Sequence, residues 1–172
     1  MPQTLTAMNT VDALIEVSTD GTTWTNISGS SNKIEAPVQT ADTGEVATLE
    51  GAFKIPTVGK WNPMELAVTV LYTENAASEA YAILQAQYAL PGHPLYIRWT
   101  PGGYNGEDRF YSATPTGVKT AGRITEMPFP GADAETAGAT LLTFKLRFPR
   151  AYKEHNAPSP SASLSPSASA SA

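Results

Sequence analysis

Cysteine is missing from all 172 residues of the chain, which excludes both a disulfide framework and a thiolate metal site. Histidine is almost missing. His93 sits in a turn between Gly92 and Pro94, His155 stands alone near the end, and no His-x-x-His spacing exists. A metal role for either is not expected, and neither is a cofactor. No window approaches the roughly 18 apolar residues of a membrane-crossing helix. The opening stretch, MPQTLTAMNTVDALIEV, lacks the basic patch and apolar run of a secretion signal. The expectation is a soluble protein made in a cytoplasm, with no membrane partner.

Basic residues are scarce in one half only. Residues 1–97 hold ten acids against Lys33, Lys54 and Lys60, a net of −7, while residues 98–172 hold eight bases and six acids, a net of +2. Sequence-reading nucleic-acid proteins show a basic patch with interleaved aromatics, and the acidic half argues against one. The imbalance has two readings: an ordinary solvated surface, or acidic and basic faces of identical subunits meeting head to tail.

Catalytic constellations are missing as well. Glu107 and Asp108 are adjacent, so a strand would send them to opposite sides, a poor geometry for paired acid and base. PGGYNG at 101–106 has the glycines of a phosphate loop but no lysine and no helix after it. There is no Gly-x-Ser-x-Gly elbow, and neither histidine has a nucleophile partner. Asn26-Ile27-Ser28 matches a glycosylation sequon by chance, given no secretion signal. An enzyme is not expected.

What the chain does have is alternation. In WNPMELAVTVLYTE, Met64, Leu66, Val68, Val70 and Tyr72 share one face; Glu65, Ala67, Thr69, Leu71 and Thr73 share the other. The first is a core face and the second is small and weakly polar. From Met64 to Thr73 such a strand extends about 30 Å, longer than the usual 17–20 Å. Upstream, Val11, Ala13, Ile15 and Val17 alternate into TDGT, a type I′ turn signal, and Thr23 to Ile27 returns with Trp24 inside. KIEAPV is a short strand, QTADTGE a loop, and 45–56 an extended segment with Ala47, Leu49, Phe53 and Ile55 on one face.

Asn75 is the expected N-cap of one helix carrying Ala77, Ala80, Tyr81, Leu84 and Tyr88 and ending before Pro91. LYIRW is a strand, TPGGYNGE a hairpin loop and DRFYSAT its return; 116–127 hold another short strand and PFPGADAETAG a loop. In ATLLTFKLRFP, Leu142, Phe144, Leu146 and Phe148 form a last core face opposite Leu141, Thr143, Lys145 and Arg147. The fold class is mainly β (α+β): an antiparallel β-sandwich or partial barrel with one flanking α-helix and a long extended loop. Residues 157–172 contain seven Ser, five Ala, three Pro and one Leu, which cannot bury enough apolar surface to order. The expected division is a β domain over 1–156 and a flexible tail over 157–172.

This order of parts, with FKIP, then MELAVTVLYTENAASEAYAILQAQY, then LYIRWTPGG, resembles the major tail tube proteins of long-tailed bacteriophages and the related tubes of contractile injection machines. Tyr96, Ile97, Arg98, Trp99 and Pro101 resemble the family's Tyr-x-Ile-Arg-Phe-Pro strand, departing from it in having Trp in place of Phe, no residue between Tyr96 and Ile97, and Thr100 before Pro101. The likeness spans roughly residues 10–150. It implies a virion-tail subunit, made in the host bacterial cytoplasm, that forms hexameric rings stacked into a tube conducting DNA. Its partners would be other copies of itself and the tape-measure, terminator and baseplate proteins.

On that resemblance the long strand crosses the ring height, and its small face lines an acidic or neutral lumen that does not grip phosphates. Asp12, Glu16, Glu65, Thr69 and Thr73 become lumen candidates. The family's bridging loop or hairpin matches 39–62, making Asp42, Glu45, Glu50, Lys54, Lys60 and Trp61 inter-subunit or inter-ring candidates. Lys145 and Arg147 join them, as cations on the corresponding side of the last strand. The residues alone leave a second class open, a non-catalytic carbohydrate-binding β-sandwich module. Of Trp24, Trp61 and Trp99, only Trp61 lies in a connector where a sugar would meet it.

Overall fold

In the computed structural model the described residues are 12–49, 51–74, 77–114, 117–131 and 139–155. The first hairpin is β1 (Leu14–Ser18) and β2 (Thr25–Asn26), followed by β3 (Ser31–Glu35), β4 (Ala41–Val46), β5 (Ile55–Trp61) and β6 (Met64–Leu71). The helix α1 (Ala80–Tyr88) leads into β7 (Pro94–Thr100), β8 (Asp108–Tyr111), β9 (Gly122–Glu126), β10 (Leu141–Phe148) and β11 (Tyr152–His155). Every ladder among the described residues is antiparallel.

Two sheets share one core. One holds β2, β1, β7, β8 and β11; the other runs β9-β10-β6-β3. They join where Pro94 and Leu95 of β7 pair with Arg123 and Gly122 of β9. Gly122 suits the close approach at that junction, because a Cβ there would meet the Leu95 carbonyl and the Leu146 side chain at 3.1 Å. The sheet path stays open, with no closed barrel among the described residues.

Alternation builds the core as read. Met64, Leu66, Val68 and Val70 of β6 are buried, as are Leu142, Phe144, Leu146 and Phe148 of β10. Each contributes about 2 kcal/mol through apolar surface removed from water. The two strands pair residue for residue from Met64↔Phe148 to Leu71↔Leu141. Ile15, Val17, Ile97 and Trp99 close the core from the other sheet, and Ala80, Tyr81 and Leu84 of α1 seal it at the side.

Several expectations change. The long strand ends at Leu71, before Tyr72 and Thr73. Asn75, the expected cap, lies outside the described residues, and the helix begins at Ala80. The turn after β1 is not type I′. That type needs positive φ at both central residues, and among the described residues outside glycine only His93 has one. Instead Ser18 Oγ accepts the Gly21 amide at 2.8 Å and Asp20 Oδ1 accepts the Thr22 and Thr23 amides at 2.7 and 2.8 Å, giving a wider loop. Trp24 is half-buried, with the Arg98 guanidinium 4.4 Å above its ring. Residues 41–45, read as loop, form most of β4; the extended stretch expected over 45–56 is the end of β4, a turn, and the start of β5. β11 was not anticipated: it pairs with β8 after the chain turns at Pro149 and Arg150. The 157–172 segment lies outside the described residues.

Candidate functional site

Two features are left over once the core is accounted for. The first is the solvent face of the β3-β6-β10-β9 sheet. Cross-strand register places Lys33 and Glu35, then Glu65, Ala67 and Thr69, then Thr143, Lys145 and Arg147, then Arg123 and Glu126 on this single surface. Four bases meet three acids, so the face is close to neutral rather than acidic. Most of its charges are already paired. Lys145 Nζ lies 2.9 Å from Glu126 and 3.8 Å from Glu65, and Lys33 reaches Glu35 at 2.7 Å. The Lys145 ammonium is held above its ordinary pKa, chiefly by its hydrogen bond and attraction to Glu126 and then by Glu65 and Glu35. Thr69 and Thr143 share a hydroxyl hydrogen bond of 2.7 Å at the middle of the face.

Glu65 and Thr69 are therefore brought together, but the other lumen candidates are not. Glu16 lies in the opposite sheet, where Arg98 grips it through Nε at 2.5 Å and Nη2 at 2.8 Å; the pair is only 13–18% exposed. Asp12 is exposed two residues before β1, beside Gly103. The Thr73 hydroxyl is buried beyond the end of β6. Lys145, expected to reach an adjacent subunit, is held by acids of its own sheet. Arg147 is exposed between Glu65 and Arg123.

The second feature is an arm. β4 and β5 pair with each other in a sheet of their own, joined to the body through residues 36–40 and 62–63. Its faces carry Val46 and Ile55 on one side and Val58 and Trp61 on the other, all more than half exposed. At its tip Leu49 and Phe53 stand almost wholly in solvent. A two-stranded hairpin is marginal by itself in water. The arm's Lys54–Glu45 ion pair, 2.9 Å long and over 60% exposed on both sides, adds little. Asp42 lies against Gly59 on one face, and Lys60 is exposed next to Trp61; Glu50 is outside the described residues.

Sequence reading missed four charged contributors to the sheet face, Lys33, Glu35, Arg123 and Glu126. The alternation of Lys33 and Glu35 in KIE was a usable signal; cross-strand partners leave none. Among the described residues no group of three or more His, Asp or Glu is placed to hold a metal, and no helix is long and apolar enough to cross a membrane.

No protein-family model matches the chain, and no curated protein matches it in sequence. Solved structures do match in fold. A chain from the PVC sheath-tube complex of an extracellular contractile injection system, in its extended state, superposes with a TM-score of 0.65 at 10% identity, covering 87% of this chain and 92% of that one. A chain from the tube-terminating cap of the anti-feeding prophage gives 0.65 at 11% identity, covering 90% and 95%. A chain from the tail of an empty gene transfer agent particle, refined helically with C6 symmetry, gives 0.58 at 14% identity, covering 88% and 100%. The chain has a tail-tube fold.

Proposed function

We propose that this chain is a structural subunit that closes into six-membered rings, and that the rings stack into the tube of a virion tail through which DNA passes. The observation that carries this reading is the arm: an apolar hairpin with no backing among the described residues, on a body whose other described apolar side chains are mostly buried. Arm and body are different surfaces, so copies joined through them associate head to tail, the geometry that closes into rings or continues into filaments. The sixfold symmetry of the gene transfer agent tail supports six as the ring number.

The β3-β6-β10-β9 face is the proposed lumen wall. Glu65 and Thr69 lie at its centre, and two of its four cations, Lys33 and Lys145, are tied to neighbouring acids while Arg123 donates to the Gly92 carbonyl, so passing phosphates meet fewer free charges to hold them. Glu16 and Thr73 drop out of this wall, because one is consumed by Arg98 and the other is buried. The bridging contacts are assigned to Asp42, Glu45, Lys54, Lys60 and Trp61 of the arm, with Arg147 at the wall. Tape-measure, terminator and baseplate proteins would meet the tube inside and at its ends.

Negative-stain microscopy of the purified protein tests the reading. Annular particles or open tubes of uniform width are expected; monomers at all concentrations would end it. A glycan-binding module is the second reading, favoured only by the 65% exposed Trp61. It calls for small particles that bind sugar and lose binding on Trp61→Ala.

A further inference from the structure

The solvent face of the other sheet, β2-β1-β7-β8-β11, holds a cleft that neither the wall nor the arm uses. Along β7, Tyr96 and Arg98 alternate with the buried Leu95, Ile97 and Trp99, so both stand on the side away from the core. With Trp24 before β2, Tyr111 of β8, Glu154 of β11 and Lys119 from the segment between β8 and β9, they line a cleft of about 200 Å³. That is below the roughly 300–1,000 Å³ of drug-sized ligand sites, so the occupant is small. The lining is held in place. Glu16 and the Trp24 ring, 4.4 Å away, fix Arg98. Lys119 reaches back 98 positions to donate to the Gly21 carbonyl, and a Cβ on Gly21 would stand 2.9 Å from the Lys119 stem and 3.3 Å from the Tyr96 ring.

Two charges in this cleft have no counterion among the described residues. Arg98 is matched by Glu16, but Lys119 is held by a neutral carbonyl, Glu154 accepts from the neutral Tyr111 hydroxyl at 2.7 Å, and no ion pair joins the two. Lys119 lies at the end marked by Gly21 and Tyr96, whereas Glu154 is on β11, two strands beyond β7 and so roughly 10 Å across the sheet. We propose that the cleft binds a small zwitterion, its anionic group on Lys119 and Arg98 and its quaternary ammonium between Glu154 and the aromatic walls. Glu16 occupies Nε and Nη2 of Arg98, which leaves Nη1 to donate to the anion. A primary ammonium would need acceptors for three N–H groups. Apart from Glu154 the walls are chiefly the rings of Trp24, Tyr96 and Tyr111, which hold a quaternary ammonium without hydrogen bonds. The inference does not depend on ring formation.

Titration calorimetry of the purified chain with phosphocholine, choline and inorganic phosphate tests it. Phosphocholine is expected to bind roughly tenfold or more tightly than either fragment, the effect of one added charge-assisted or cation–π contact. Phosphate matching phosphocholine would reduce the cleft to an anion site, choline matching it would reduce it to a cation cage, and no heat from any of the three would remove it; each result overturns the proposal. Glu154→Gln keeps an acceptor for the Tyr111 hydroxyl and should bring phosphocholine down to the affinity of phosphate, while Lys119→Gln should bring it down to that of choline. A preference that survives both substitutions also overturns the assignment. Phosphatidylcholine vesicles identify the source of the zwitterion. Co-sedimentation that free phosphocholine competes away supports a lipid headgroup, and phosphocholine binding without co-sedimentation supports a soluble zwitterion.

Discussion

Arg98 holds Glu16 with two nitrogens and covers the Trp24 ring in a site less than one-fifth exposed. Removing one partner of such a pair leaves the other charge without compensation. Arg98→Ala is expected to cost about 3 kcal/mol, read from urea denaturation. Replacing both partners together, Arg98→Met with Glu16→Leu, should cost less than Arg98→Ala. Asp20 gives a pH prediction. Hydrogen bonds from Thr22, then Thr23 and Ser18, hold its carboxyl well below the usual range. A depressed folded value stabilises in full above the unfolded value, near 4, and the contribution disappears as pH falls through the folded one. The urea-midpoint gap between wild type and Asp20→Ala should therefore stay constant from about pH 8 to 5 and narrow below about 4. At Gly122 a methyl would lie 3.1 Å from the Leu95 carbonyl, so the β7-β9 junction must shift by a few tenths of an ångström to admit it, and Gly122→Ala is expected to be destabilising by roughly 1–3 kcal/mol, read from urea denaturation.

At the scale of elements, amide exchange separates arm from body. β6 and β10 are paired along their full lengths over a buried face, whereas among the described residues β4 and β5 pair only with each other. In the free subunit, arm amides should exchange far faster than those of β6 and β10, and assembly should slow them; an arm protected already in the monomer would contradict the docking scheme. The same contrast explains what could be read from sequence. β6 and β10 were legible because one buried face imposes period two on Met64–Val70 and Leu142–Phe148. β4 escaped because ADTGEV buries nothing and has no period to detect, and β11 because YKEH is half-exposed to exposed and recognisable only through Tyr111 and Asp108. The lumen candidates fared the same way: Glu65 and Thr69 follow from alternation in their own strand, but the capture of Glu16 depends on Arg98, 82 positions away.

For the whole molecule, the near-neutral sheet face sets the expectation for cargo. Glu65→Lys with Thr69→Lys would add two cations beside Lys145 and remove one of its acids. Tubes should still form, since both positions are solvent-facing, while DNA release slows and becomes salt-dependent. Unchanged infectivity and release would show that this face does not border the channel.

The arm is spliced between β3 and β6, strands that lie side by side in the proposed wall. A hairpin that gains order only on arrival makes the first encounter unfavourable and each later one easier. Growth should then show a lag and a threshold concentration, both abolished by adding preformed seeds. Tube length would in that case be governed by what starts and stops elongation, leaving the supply of subunits to set only its pace.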